Sequence, residues 1–260
     1  MRYALAVVDP APSLPPSDDL PPDAAHPPPF AARLVALIEV LICSDFLTQI
    51  ALGGTLRALG YQPLVGGQLN IRYVVMLSIG DAVLLIALIV VMLRAHGESP
   101  RAVLFGSRRT FAEVGLGAAL IFLALGIGVA LLLSMRYLAP WLHTVPDNPL
   151  AALLRSPRDA WLFALVVLVA GGVREEIQRA FVLHRFNVWL GGGTVGIIVG
   201  SIAFGAGHLV QGYDAAIATG LLGVFWGIVY LRRRSVVAPM ISHAGFNLIE
   251  LLQYLVLAGR

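Results

Sequence analysis

Ala160-Trp-Leu-Phe-Ala-Leu-Val-Val-Leu-Val-Ala170 is an uninterrupted apolar run, and it leads through Gly-Gly-Val into the charged sequence Arg174-Glu-Glu-Ile-Gln-Arg179. Charges are unexpected at the end of a helix that only has to cross lipid. Each acidic or basic side chain costs about 2.5 to 3.5 kcal/mol in the middle of a membrane helix. Glu175, Glu176 and Arg179 therefore need partners, water or a metal ion, and this predicts a polar site inside a membrane protein.

Composition supports the membrane assignment. The chain is 58% hydrophobic and 13% charged over 260 residues, with a mean hydropathy of +0.83, whereas a soluble domain is roughly a quarter charged. Apolar segments fill nearly everything after residue 32, so we expect the lipid bilayer as a partner and no separate soluble domain. The basic residues lie in short loops rather than on one face, so we expect no nucleic-acid partner. The sequence predicts no particular oligomeric state.

The apolar segments predict an all-α fold, namely a polytopic membrane helical bundle with about seven transmembrane helices, within a range of six to eight. The criterion is a run of about 20 mostly apolar residues. The segments are 33–53, 73–94, 112–135, 159–187, 194–211, 214–231 and 235–257.

The chain divides into three predicted parts. Residues 1–30 hold nine of the sixteen prolines and lack the pattern of a signal peptide, so we expect a disordered tail. Residues 31–154 form the amino-terminal transmembrane helices, and residues 155–260 form the membrane domain that carries the site.

Arginine placement predicts the orientation, because cytoplasmic loops carry an excess of basic residues. Two loops do so, between the second and third segments and between the sixth and seventh. We therefore expect both loops and the amino terminus in the cytoplasm. All eighteen basic residues are arginine, which favours a bacterial chain and hence the inner membrane. The loop arginines are Arg94, Arg101, Arg108, Arg109, Arg232, Arg233 and Arg234.

The acid pair is the first candidate for catalysis. On a helix, Glu175 and Arg179 lie four residues apart on nearly the same face, while Glu176 points about 100° away. Two acids beside one arginine leave an excess negative charge, and a carboxylate of that kind in apolar surroundings is a candidate general base. The alternative is a structural ion pair between helices.

Two later segments supply imidazoles and an amide. Phe204-x-x-x-His208 ends one segment, and His243 and Asn247 lie one helical turn apart on the last. His208 alone is more typical of a structural residue. His243 and Asn247 suit either metal binding or hydrogen-bond donation to an oxyanion. Carboxylates, two histidines and an amide together suit hydrolysis by an activated water.

Other ionisable residues in apolar segments have a simpler interpretation. Glu39, Asp45 and Asp81 are compatible with the lining of a polar cavity, but we rather expect one or more of them to pair with an arginine or to lie near an interface. None is assigned to catalysis. His184 lies off the acid-bearing face by helical phase and is a weak candidate.

The order Glu175-Glu-Ile-Gln-Arg179, Phe204-x-x-x-His208 and His243-x-x-x-Asn247 on successive apolar helices resembles the CPBP intramembrane protease family, which includes CAAX prenyl endopeptidases and bacteriocin self-immunity (Abi) proteins. The resemblance covers about residues 155 to 257. The motifs are short, but their order and helical context make the set fairly specific.

The resemblance implies a role for each motif residue. Glu175 would activate water together with His208, and His243 and Asn247 would stabilise the oxyanion. Arg179 would orient the glutamates, with Glu176 as the second acid. The family is usually classed with metalloproteases, so Zn²⁺ is an option, and its ligands would be Glu175, His208 and His243.

One spacing departs from the family, which places three residues between the glutamate pair and the arginine. Here only Ile177 and Gln178 intervene. If Arg179 is the fixed point, Glu175 takes the place of the second acid and Arg174 that of the first. If the glutamates are fixed, Arg179 is rotated by about 100° around the helix. We expect Glu175 to be the base, because it then shares a face with Arg179.

The preferred hypothesis is an intramembrane endopeptidase that cleaves a CAAX-like or other membrane-associated peptide or membrane protein. A second hypothesis is a non-proteolytic scaffold or regulator of the same family, with a role in self-immunity or secretion, and the shortened motif is its support. A proton-coupled transporter is the third, since buried acids and histidines also form proton relays. It lacks the expected repeat of discontinuous helices.

Overall fold

The structure is a computed structural model that describes residues 29–146 and 148–257. Helices account for most of this part of the chain, which confirms the all-α prediction. Its strands, β1 (Leu64–Val65) and β2 (Gln68–Leu69), form one small antiparallel hairpin. All but the last two residues of the predicted tail lie outside the described residues, and the division between residues 154 and 155 stays a prediction.

Each predicted apolar segment falls on helical structure. The α-helices in chain order are α1 (Phe30–Ile42), α2 (Phe46–Ala58), α3 (Ile71–Ala95), α4 (Pro100–Phe105), α5 (Thr110–Leu138), α6 (Pro157–Val166), α7 (Glu175–Trp189), α8 (Gly193–Ala206), α9 (Tyr213–Arg233) and α10 (Val237–Leu257). A π-helical segment, Val167–Arg174, joins α6 to α7 without a break. Short 3₁₀ turns cover Pro140–Leu142, Pro149–Leu153 and Leu209–Gln211.

Helix starts follow local sequence signals. Ser156 accepts a hydrogen bond from the backbone N–H of Asp159, with Pro157 at the first helical position of α6. Asn70 caps α3 and Ser99 caps α4 in the same way. These side chains satisfy backbone donors that a helix leaves unpaired at its amino end.

Length and composition qualify fewer helices as membrane spans than the seven predicted. Within the described residues four qualify, α3, α5, α9 and α10, and α1 with α2 makes a fifth if this pair, bent by 43°, is one span. The helix α8 has 14 residues, about 21 Å, which is short of a hydrocarbon core of about 30 Å. The path from α6 to α7 carries Arg174, Glu175 and Glu176 near its centre, and it does not qualify as a span. The chain is nevertheless a polytopic membrane helical bundle.

The outer faces and the helix contacts fit a lipid environment. Phe111, Phe122 and Leu133 on α5 are exposed. On the inner side, a Cβ built at Gly117 would lie 2.7 Å from Cβ of Ile241. Small residues of this kind let helices approach closely where lipid removes the hydrophobic drive for association.

Buried arginines connect α7 and the π-helical segment to the amino-terminal helices. Nε of Arg185 lies 2.6 Å from Oε2 of Glu39, and Nη1 of Arg174 lies 2.6 Å from Oδ2 of Asp81. Arg174 also pairs with Asp45. The prediction that one or more of these acids pair with an arginine is therefore confirmed, and the pairs connect α7 and the π-helical segment to α1, to the residue before α2 and to α3.

Candidate active site

The π-helical segment brings the acid pair against α10. A Cβ at Gly172 would lie 2.6 Å from Cβ and 3.0 Å from Cα of Ala244, and a Cβ at Gly171 would lie 2.6 Å from Nδ2 of Asn247. Glycine at both positions therefore allows this close approach. The amide of Glu175 bonds to the carbonyl of Ala170 across the wider π turn, a feature that frequently marks functional sites.

One cavity of about 390 Å³ receives the side chains of Glu175, His208, His243 and Asn247. They come from the start of α7, the residues just after α8, and α10. Four of the six predicted site residues thus converge on one space, as the sequence predicted. Further residues that line the cavity include Arg174, Gln211, Trp226 and Glu250.

Of the two adjacent acids, Glu175 is the one that faces this cavity. Its side chain is 16% exposed, its Oε1 accepts a hydrogen bond from Nη2 of Arg174 at 3.1 Å, and its Oε2 lies 3.8 Å from Nε2 of His243. Arg174 is shared with two aspartates, so only part of its charge acts on Glu175. The second oxygen of Glu175 remains available to a water or a ligand.

Glu176 and Arg179 do not line this cavity, although Arg179 lines a second one of about 420 Å³ together with Glu175 and His208. Their pairing differs from the prediction. Arg179 pairs with Glu176, three residues before it, and not with Glu175. The expected pairing of Glu175 with Arg179 is therefore wrong. On a helix both the third and the fourth neighbour are within reach, and here Arg174 holds Glu175. The guanidinium of Arg179 lies 4.6 Å from the centre of the Phe204 ring.

The shortened motif leaves open whether Arg174 or Glu175 takes the place of the first acid, and the geometry favours Glu175. Arg174 and Glu175 both line the cavity, but the guanidinium of Arg174 is bound to Asp45 and Asp81. The carboxylate nearest the imidazole of His243 on the cavity side is that of Glu175. Glu175 therefore remains the candidate base, although the reason given from helical phase does not hold.

His208 is half-buried and has a defined tautomer when neutral. Its Nδ1 lies 2.9 Å from the carbonyl oxygen of Phe204. A carbonyl can only accept, so Nδ1 carries the hydrogen. Among the described residues Nε2 has no hydrogen-bond partner, and a neutral His208 can use its lone pair there to accept a proton or a hydrogen bond.

His243 is held on three sides. Its Nδ1 lies 2.8 Å from Oε1 of Glu176, and its ring is stacked on Trp226 with centroids 3.8 Å apart. Phe204 makes edge contacts with both imidazoles, at 5.9 Å to His243 and 5.0 Å to His208. The orientation of His243 is thus fixed with Nε2 toward Glu175.

Ligands for Zn²⁺ would have to come from the same side chains. Nδ1 of both imidazoles and Oε1 of Glu175 are engaged, which leaves Nε2 of each imidazole and Oε2 of Glu175 as the atoms that could bind a metal ion. In residues 29–146 and 148–257, however, no three His, Cys, Asp or Glu side chains are arranged to hold one. Glu175, His208 and His243 therefore do not form a Zn²⁺ ligand set in this arrangement.

Sequence reasoning missed three residues of the site. Arg174 is the partner of Glu175, and its adjacent acids were the only signal. Trp226 stacks on His243, which nothing in an apolar helix indicates. Glu250 lines the cavity, and an acid three residues after Asn247 in an apolar segment was a signal that could have been used.

His184 lies elsewhere. Its Nε2 is 2.6 Å from Oε1 of Glu98, in a cluster with Arg185, and it does not line the cavity. The sequence analysis predicted His184 to be only a weak candidate for the site, and its position agrees with this.

Comparison with known proteins supports the interpretation of the carboxy-terminal part. A family model described as Rce1-like, type II CAAX prenyl endopeptidase, matches residues 157–249. Comparison with curated proteins and with solved structures gives no match. The matched range runs from α6 into α10 and contains all six predicted site residues. Over residues 157–249 the chain is therefore similar to the Rce1-like endopeptidases, which confirms the resemblance to the CPBP intramembrane protease family.

Proposed function

We propose that this chain is an intramembrane endopeptidase in which Glu175 activates the water that cleaves a peptide bond. The observation that carries the proposal is the convergence of Glu175, His208, His243 and Asn247 on one cavity inside a bundle of apolar helices. A base, a second proton acceptor and two hydrogen-bond donors are the groups that hydrolysis requires.

The first step is attack by water. Oε2 of Glu175 accepts one proton of the water, while Nε2 of His208 accepts a hydrogen bond from it. The water oxygen forms a bond to the carbonyl carbon of the peptide, and the electrons of the C=O bond move to its oxygen. General base catalysis of this kind contributes about 10²- to 10⁴-fold to a rate.

The second step is collapse of the tetrahedral intermediate. Nδ2 of Asn247 donates to the oxyanion, and Nε2 of His243 does the same when it carries a hydrogen. The C–N bond then breaks, and the proton held by Glu175 passes to the leaving nitrogen. Each donor of this kind is worth about 10² to 10³ in turnover.

The proposed substrate is a membrane-associated peptide that carries an apolar group, of which a prenylated CAAX sequence is the example given by the family match. A groove of about 510 Å³ between α6 and α10 supports this. Its wall is almost wholly apolar, and it meets the catalytic cavity at Leu154 and Leu251. Further residues of the groove are Trp161, Ala164, Leu248, Leu252 and Leu255.

The experiment uses the full chain, purified and reconstituted in liposomes, with farnesylated and unmodified CAAX peptides. We expect a new amino terminus in the product by mass spectrometry, and we expect Glu175→Ala to abolish it. Cleavage by Glu175→Ala at the wild-type rate would remove the proposal. A farnesylated peptide cleaved no faster than the unmodified one would remove the part that concerns the apolar group.

A second candidate is a non-proteolytic scaffold or regulator. The observation in its favour is the hydrogen bond from Arg174, which occupies one oxygen of the Glu175 carboxylate, together with the shortened motif. The two candidates differ in the cell, because a scaffold keeps its phenotype in Glu175→Gln whereas a protease loses it.

We also propose the inner membrane of a bacterium as the location, with the amino terminus in the cytoplasm. The support is the arginine content of the loops after α3 and after α9. Reporter fusions after Arg109 and after Arg234 test this, and periplasmic activity at either position would overturn it.

A further inference from the structure

Glu250 has an unusual position in α10. It lines the same cavity as Glu175 and His243, yet it has no hydrogen-bond or ion-pair partner in the part of the chain that the structure describes. Every other acidic side chain in residues 29–146 and 148–257 has one. The partnered acids are Glu39, Asp45, Asp81, Glu98, Glu113, Asp159, Glu175, Glu176 and Asp214.

We infer that Glu250 is a subsite for a basic side chain of the peptide substrate, an arginine or a lysine near the bond that is cleaved. The inference rests on the proposed function and names one element of the substrate that this cavity recognises.

Helix geometry places Glu250 beside the oxyanion donors. It lies seven residues after His243, about 20° away around the axis and about 10.5 Å along it. It lies three residues after Asn247, about 60° away and about 4.5 Å along the axis. An extended peptide advances about 3.3 to 3.6 Å per residue, so the basic side chain belongs about one to three residues from the scissile bond.

The surroundings of Glu250 favour a cationic ligand. Glu250 is exposed, and apolar residues, among them Leu154, Phe163 and Leu251, line the same cavity. A carboxylate on an apolar membrane helix that has no counter-charge is unfavourable, and a bound cation would supply that counter-charge. Among the described residues, the arginine that lines the cavity is Arg174, which is already bound to Asp45, Asp81 and Glu175. A cation for Glu250 would therefore come from the ligand.

A neutral Glu250 that bonds only to the peptide backbone is the competing interpretation. It predicts no preference for the charge of a substrate side chain. Recognition of a free amino terminus is a further competitor, and peptides with acetylated amino termini exclude it.

The experiment profiles wild type, Glu250→Gln and Glu250→Arg with farnesylated, acetylated peptides in which each of the three positions on either side of the scissile bond is Arg, Gln or Glu. We expect wild type to prefer Arg over Gln at one position by about tenfold or more. Glu250→Gln should lose this preference, and Glu250→Arg should prefer Glu there. Gln253→Arg changes the net charge by +1, as Glu250→Gln does, but at an exposed position of α10 outside the cavity lining. It should keep the wild-type preference.

Binding is measured in parallel by fluorescence anisotropy of the same peptides on Glu175→Gln, with and without Glu250→Gln. A charge preference that is the same in all Glu250 variants, in cleavage or in binding, overturns the inference. If nothing is cleaved but Arg peptides bind more tightly only when Glu250 is present, the subsite stands and the proposed endopeptidase activity fails.

Discussion

Oε1 of Glu176 lies 2.8 Å from Nδ1 of His243 and accepts from Arg179 at the same oxygen. Glu176 is 1% exposed, so it holds the imidazole and the guanidinium from behind the cavity wall. Its neighbour Glu175 faces the cavity. Two acids adjacent in the sequence therefore have different surroundings: Glu175 faces the cavity in which we propose the reaction, and Glu176 fixes the orientation of His243.

The first prediction separates the two acids by activity and stability. Glu175→Gln should lower turnover by about 10²- to 10⁴-fold, because it removes the proton acceptor, and should leave the unfolding temperature in detergent nearly unchanged. Peptide cleavage and thermal unfolding of the same preparation are the two measurements. A Glu175→Gln protein with full turnover contradicts the prediction.

The second prediction concerns the buried partner. Glu176→Ala leaves Arg179 buried without its counter-charge, and loss of one member of a buried pair costs about 3 to 5 kcal/mol. The free energy of unfolding in a denaturant series measures this. Arg57→Gln is the matched control, because Arg57 is exposed and its side chain has no hydrogen bond within the described residues. Equal stability of the two variants would show that Glu176 is not holding the pair.

The sequence predicts the helices well, and it predicts four residues that line one cavity, because both depend on local patterns. Apolar runs mark every long helix, and a spacing of four places His243 and Asn247 near one face. Ion pairs between distant parts of the chain are harder to predict from the sequence. The bond from Arg174 to Asp45 joins residues 129 positions apart, and no local pattern encodes such a contact.

Helical phase also has a limit that Arg179 illustrates. Its third and fourth preceding neighbours, Glu176 and Glu175, are both within reach on a helix. Arg179 binds Glu176 because its guanidinium packs on the ring of Phe204 and because Arg174 holds Glu175. These contacts form only in the folded structure. The π-helical segment before Glu175 changes the direction of the acid pair in the same way, and the apolar run that forms it does not distinguish π from α winding.

The third prediction tests Arg174 as the link between the two halves of the chain. Arg174→Met should destabilise strongly, because the buried carboxylate of Asp81 loses its counter-charge. Adding Asp81→Asn to Arg174→Met removes the unpaired charge and should restore part of the lost stability. A double-mutant cycle on the free energy of unfolding gives the coupling. A cycle that closes additively would mean that Arg174 and Asp81 do not stabilise each other.

The fourth prediction is a pH dependence at Glu98, which lies in the loop after α3. Burial acts to raise the pKa of Glu98, but hydrogen bonds from Arg185 and His184 outweigh it and hold the pKa below its ordinary value of 4.5. The unfolded chain therefore binds this proton more tightly than the folded chain. The stabilisation is fully present above pH 4.5 and is lost as the pH falls through the lowered pKa.

The measurement compares the free energy of unfolding of wild type and Glu98→Gln from neutral pH to about pH 3. The difference in unfolding free energy between wild type and Glu98→Gln should stay constant as the pH falls to the ordinary glutamate pKa of 4.5. Below that pH the difference should shrink. A difference that stays the same at acid pH would show that the charge of Glu98 contributes nothing to this cluster.

The last prediction uses the close approach of the π-helical segment to α10. Gly172→Ala places a Cβ 2.6 Å from Cβ of Ala244, a distance that the backbones can relieve only by moving apart. Overpacking of this kind costs about 1 to 3 kcal/mol. Glu175 follows three residues later and moves with the segment, while His243 and Asn247 stay on α10. Because a displacement of about 1 Å can lower a rate about 10²-fold, turnover should fall by more than the loss of stability explains.

Gly126→Ala is the matched control, since Gly126 lies inside α5 and a Cβ there meets nothing within 4 Å. Alanine also favours a helix over glycine by up to about 1 kcal/mol, so this variant should be as stable as wild type or slightly more so, with unchanged turnover. Peptide cleavage by the folded fraction, determined at a temperature where both variants are fully folded, separates the two effects. Equal turnover of Gly172→Ala and Gly126→Ala would mean that the distance between the π-helical segment and α10 does not set the position of Glu175, and that its contacts with Arg174 alone are sufficient.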